Sequence, residues 1–205
     1  MEKCCTLSPR SSAKREAILD AAQDSFLEMG YANTSMDLVA NRAGVSKATI
    51  YAHFKGKDEL FGAIILRRCD LYLAFGSMPD FGNLDARAAL TAMASHLLTL
   101  LCSPEALGVY RIVVSESVRH PDLVQAYYEA GPLRGKTHMM AVLDALCQRG
   151  HLVIDDLWRA ADLFIGMLRS EYYHRALMGM PQAEGRTMEA TIEAAVEVFL
   201  RAYRA

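Results

Sequence analysis

Apolar side chains recur at every third or fourth position in long stretches of this chain, and nowhere do they alternate with polar ones. Ile18, Ala22, Phe26 and Met29 form one such stripe. Leu90, Met93, Leu97 and Leu101 form a second, and Met188, Ile192, Ala195, Phe199 and Tyr203 a third. That spacing puts each set on one face of an α-helix, whereas a half-buried strand needs a period of two, so the chain is expected to be all-α. Breaks fall at Gly30, at Met78–Asn83, at Ser103–Pro104, at His120–Asp122, at Gly131–Pro132 and from Met178 to Gly185. They divide the pattern into roughly nine or ten helices. With 52% hydrophobic residues in 205, there is enough apolar surface for a sizeable core.

The formal charge of −2 excludes a protein that holds a polyanion by its overall field, so any contact with nucleic acid must come from a local patch. One stretch qualifies. Between Asp37 and Asp58 there is no acidic residue, while Arg42, Lys47, His53, Lys55 and Lys57 all fall there. The polar N-terminus has no apolar secretion core and no stretch reads as a membrane span, so a cytoplasmic protein without membrane contact is expected. The five cysteines, among them Cys4–Cys5 in the N-terminal tail, show no CxxC spacing and suit reduced thiols. Catalytic signatures and metal-ligand spacings are absent, and neither an enzyme, a cofactor nor a metal site is expected.

Within the basic stretch, Thr34 to Phe54 has the parts of a helix-turn-helix. Thr34 is placed to cap one short helix, with Asp37 three residues on, and Ser46 to cap a second. Leu38, Val39, Ala43, Val45 and Ile50 supply small or branched groups that pack the two at a steep angle, and Gly44 permits the turn with positive φ. The second helix then presents Lys47, Ala48, Thr49 and Tyr51, short or cationic side chains suited to a major groove, and Ser46 brings the helix N-terminus to phosphate.

The run AGVSKATIYAHFKGKDEL resembles the signature of the TetR/AcrR family of transcriptional regulators, with Ala43–Ser46, Ile50–Tyr51, His53–Phe54, Lys57 and Leu60 in register. The similarity extends back to Ile18–Ala22, Phe26, Gly30–Tyr31 and Thr34–Ser35. It implies phosphate contacts from Thr34, Ser35, Lys47, Tyr51, His53 and Lys57, and base contacts from Lys47, Ala48 and Thr49. Gly56 stands where the family commonly has Ser or Asn, which should loosen the cap of the next helix. Further on, Arg111, Glu116, Arg119–Leu123 and Tyr128–Pro132 resemble one C-terminal subclass of the family.

The resemblance implies a tail over residues 1–12, a three-helix DNA-binding domain over 13–60 and a helical ligand-binding and dimerisation domain over 61–205. The implied partners are a near-palindromic operator, a second copy of the chain and a small apolar or aromatic effector whose binding releases DNA. Tyr72, Met93, His96, Tyr110, Val114, Tyr127, Met139, Trp158, Met167 and Tyr172 are candidate effector contacts, although plain core packing explains any one of them. Leu157, Ala161, Phe164, Ile165 and Leu168 lie on a helix apolar on nearly every side. With Ile192, Ala195 and Phe199 of the last helix they are the expected dimer interface. The alternatives are an activator, a ligand-independent regulator, or a ligand-binding protein or enzyme with a vestigial helix-turn-helix.

Overall fold

In the computed structural model, which describes residues 9–74 and 84–205, the chain forms eleven α-helices and one π-helical turn. The helices are α1 (Pro9–Asn33), α2 (Met36–Arg42), α3 (Lys47–His53), α4 (Lys57–Ala74), α5 (Ala86–Leu101), α6 (Pro104–Glu116) and α7 (Pro121–Tyr128). The π-turn Glu129–Leu133 leads into α8 (Arg134–Gln148), α9 (Leu157–Leu168), α10 (Glu171–Leu177) and α11 (Met188–Tyr203). No β-strand occurs among the described residues, although an isolated bridge joins Leu152 and Arg204. No single helix among them is long and apolar enough to cross a membrane. The N-terminal Cys4–Cys5 pair lies outside the described residues.

The chain divides into two compact units, one comprising everything up to Arg68 together with Val109–Ala130, the other Cys69–Gly108 with Gly131–Ala205. The division falls inside α4. The return of Val109–Ala130 to the first unit has no counterpart in a division of the sequence into contiguous domains.

In the first unit Ile18, Leu19, Ala22 and Phe26 of α1 are buried with Val39, Ala40, Ile50, Phe54, Leu60, Phe61 and Ile64. Phe26, Tyr31 and Phe61 form an aromatic cluster with ring centroids 5.4 to 5.8 Å apart. Gly30, at φ +77°, breaks the helical path of α1 before Tyr31 and so turns that ring into the core. At Gly62 the backbone of α4 passes so close to Ala126 of α7 that an added Cβ would stand 3.3 Å from that methyl group.

In the second unit, side-chain caps set the helix starts: Asp85 accepts from the Ala88 amide, Asp156 from Arg159 and Thr187 from Ala190. α11 packs on α5 and α9, and α8 on α9. The sequence suggests one helix from Leu157 to Met178, but it is broken. Arg169 and the extended Ser170 end α9, and the Arg169 guanidinium lies 5.0 Å over the Tyr173 ring of α10.

Most of the residues expected at a dimer interface are buried within the single chain, while Leu157 and Ile165 keep part of their surface. Ala161, Phe164 and Leu168 of α9 and Ile192, Ala195 and Phe199 of α11 are buried in the single chain's own core, with Phe164 and Phe199 in edge contact at 5.0 Å. Leu157 and Ile165 pack half-buried against the same core. A side chain with no surface in one protomer has none to give a partner, because α5, α8 and α11 already cover the face the sequence leaves unpartnered. The apolar groups left in solvent are others: Trp158 at 45% exposure, Leu163 at 52% and Val198 at 55%.

Candidate nucleic-acid interface

The helix-turn-helix is assembled from short-range constraints. At Gly44, φ is +65°, and the turn closes through hydrogen bonds from the Gly44 amide to Asn41 O (3.2 Å) and from the Val45 amide to Ala40 O (3.0 Å). Ser46 caps α3 by accepting from the Thr49 amide at 3.1 Å. Ile50 and Phe54 anchor the inner side of α3, while Lys47, Ala48 and Tyr51 are exposed and Thr49 and His53 half-exposed. The face left outward is therefore a shallow one of methyl, hydroxyl and ammonium groups around a tyrosine ring.

Lys47 is not idle in the free protein. Its ammonium donates to the Asp37 carboxylate at 2.9 Å, which raises its affinity for a proton, and both partners are largely in solvent. An exposed pair of this kind is worth little, about 0 to 1 kcal/mol. Arg42 points the other way. Its guanidinium donates to Ser25 Oγ (3.1 Å) and to Glu28 (2.5 Å), tying α2 to α1.

Two residues grouped with the phosphate contacts have inward roles. Thr34 is buried, and its hydroxyl faces the carbonyls of Gly30 (2.9 Å) and Ser25 (3.1 Å). The cap of α2 is instead the neighbouring Ser35, whose exposed hydroxyl accepts from the Leu38 amide at 3.2 Å. This corrects the assignment of that cap to Thr34: the extended backbone at Ser35 is what presents a hydroxyl to the free amides of the first turn. Lys57 donates to Tyr31 O (2.7 Å) and Thr34 O (3.0 Å) with its ammonium 4.2 Å from the Tyr31 ring centroid, and its partial burial lowers its pKa. It thus clasps the α1–α2 turn to the start of α4. Gly56 leaves that start without a side-chain cap, but Glu59 reaches back to accept from the Lys55 amide at 2.7 Å.

Tyr31 falls within the family resemblance, but the sequence assigns it no role. Its hydroxyl donates to the Asp58 carboxylate, and burial together with that carboxylate raises its pKa far above the tyrosine range. His120, from the segment that rejoins this unit, lies edge-on to the ring at 5.1 Å, with Glu116 3.7 Å from its Nε2. The Lys57 contact spans 26 positions, so no local pattern announces it.

The candidate effector residues are not gathered in one unit. Tyr110, Val114 and Tyr127 belong to the first, where the two tyrosine rings pack at 6.0 Å and Val114 is exposed. Met93, His96, Met139, Trp158, Met167 and Tyr172 belong to the second, Met93 and Met139 in its core and Trp158 under the Lys136 ammonium at 4.4 Å. The Tyr72 side chain lies outside the described residues.

Comparison with known proteins agrees with this geometry. Residues 18–64 match the model of bacterial regulatory proteins of the tetR family, and residues 88–205 that of the AefR-like transcriptional repressor C-terminal domain. The chain is 27% identical over 161 residues to the HTH-type transcriptional regulator SrpR of Pseudomonas putida, covering 78% of this chain and 73% of that protein. A TetR-family regulator from Mesorhizobium loti superposes with a TM-score of 0.81 at 29% identity, over 97% of this chain and all (100%) of the other. The flavonoid-responsive regulator FrrA superposes with a TM-score of 0.79 at 31% identity, over 94% of this chain and 98% of the other. A helix-turn-helix in the first unit, family matches over residues 18–64 and 88–205 and a solved relative that covers 97% of the chain place this chain in the TetR family of DNA-binding transcriptional regulators.

Proposed function

We propose that the chain acts as a homodimeric repressor that holds a near-palindromic operator and releases it when a small aromatic effector binds the second unit. The observation that carries this reading is α3, held by Ser46, Ile50 and Phe54 with Lys47, Ala48, Thr49 and Tyr51 outward. Lys47, Ala48 and Thr49 face bases. Ser35, Ser46, Tyr51, His53 and the remaining donor of Lys57 face phosphates, and Thr34 contributes through the turn it holds. The partner copy covers the exposed side of α9 and α11, where Trp158, Leu163 and Val198 lie beside the small residues Gly166 and Ala194. A two-fold dimer sets the two recognition helices about 34 Å apart, one turn of duplex, and an effector that favours another spacing loosens both half-sites.

An effector of aromatic character is supported by FrrA, a flavonoid-responsive protein whose fold and length this chain shares. In a reporter strain carrying the chain's own upstream intergenic DNA, deletion of the regulator raises expression. Binding-site selection with Lys47→Ala and Thr49→Ala returns altered preferred sequences. Unchanged preferences for both variants would remove these residues from base readout, and lowered expression on deletion would make the regulator an activator.

A further inference from the structure

α5 and α8 both contribute side chains to a buried seam in the core of the second unit. Past the end of α8, Arg149 donates through Nη1 to Leu84 O before the start of α5 (3.3 Å), while at the other end His96 of α5 lies near enough to His138 of α8 to act on it electrostatically. His138 Nε2 is sealed from solvent yet has no hydrogen-bond partner among the described residues. A buried polar atom left in that state costs about 1 to 3 kcal/mol, so any molecule that brings it a donor recovers that cost. No cluster of three metal-ligating groups occurs among the described residues, so the two imidazoles do not form part of such a cluster.

We propose that the His138–His96 pair is the polar anchor of the effector site, and that it takes a phenolic hydroxyl. The inference rests on the effector-release reading above and gives it an address. Burial and the adjacent His96 both disfavour protonation of His138, so the ring offers a neutral acceptor. A phenol, a good donor that stays neutral near pH 7, satisfies that acceptor without bringing a charge into the seam, whereas an alkyl ether or a hydrocarbon leaves it orphaned. Met93, one turn before His96, and Met139 and Met140, next to His138, supply thioether side chains that move aside for an aromatic ring and pack on its edge.

The test uses full-length protein, the chain's own operator DNA, and naringenin as probe against its fully O-methylated ether. Calorimetry on wild type is expected to show the phenol binding about tenfold more tightly than the ether, as one buried hydrogen bond predicts. Operator release is expected to follow the same order. His138→Leu, which fills the space without an acceptor, abolishes that preference while operator binding in the absence of probe is unchanged. His138→Gln, which keeps an acceptor, retains part of it. A preference equally large in His138→Leu overturns the anchor and leaves effector release standing. A wild type that binds neither compound, and releases its operator for neither, overturns the anchor together with the aromatic-effector reading.

Discussion

Lys57 shows how much of one side chain's role a motif carries and how much it leaves to packing. Its place in the motif points to phosphate, and the motif is legible because Ser46, Gly44, Ile50 and Lys57 are close in sequence. Its two carbonyl partners, on Tyr31 and Thr34, are set by how α1 and α4 pack, which no spacing records. Lys57→Ala is therefore expected to lower the stability of the first unit by about 1 to 2 kcal/mol in thermal melts, besides weakening operator binding. Weakened binding with an unchanged melt would return Lys57 to a pure phosphate contact. Tyr31 gives a pH signature. Its pKa is raised in the fold above the unfolded value of about 10, so its contribution is complete below about pH 10 and is lost as the pH rises beyond it, because only the unfolded chain then releases the proton. Stability should fall more steeply above about pH 10 in wild type than in Tyr31→Phe, and parallel curves would show that the Asp58 hydrogen bond holds little.

Helices are legible as elements, since the apolar stripes and the cap Ser46 announce them, but which face of each meets what is not. α9 is the clearest case. Read alone it has too much apolar surface for one core, and Phe164 stands out as a residue in search of a partner. The fold instead wraps α9 in α8 and α11, sends Phe164 into the protomer and leaves Trp158 and Leu163 outside. The two faces separate experimentally. Leu163→Glu is expected to leave a folded chain that sediments as a monomer, whereas Phe164→Ala is expected to cost about 3 to 5 kcal/mol of stability through the cavity it opens. A stable monomer from Phe164→Ala, with an intact dimer for Leu163→Glu, would put the interface back on the face first inferred from sequence.

Across the whole molecule, the all-α architecture and the helix-turn-helix could be read from period and motif. The grouping of Val109–Ala130 with the recognition unit could not, because it depends on contacts such as Gly62 with Ala126 and Tyr31 with His120 between segments distant along the chain. The charge economy also belongs to this scale. With a net charge of −2 the protein has no general affinity for a polyanion, so specific binding must draw on the local basic stretch around α3, doubled by two-fold symmetry. Titrating the chain's own upstream intergenic DNA with protein at several salt concentrations, by fluorescence anisotropy, tests that claim most directly. The expected result is a complex of two chains per near-palindromic site, with the logarithm of affinity falling linearly and steeply with the logarithm of salt as several phosphates are neutralised. Binding that ignores salt, or that is no tighter on this DNA than on an unrelated duplex, would contradict the account.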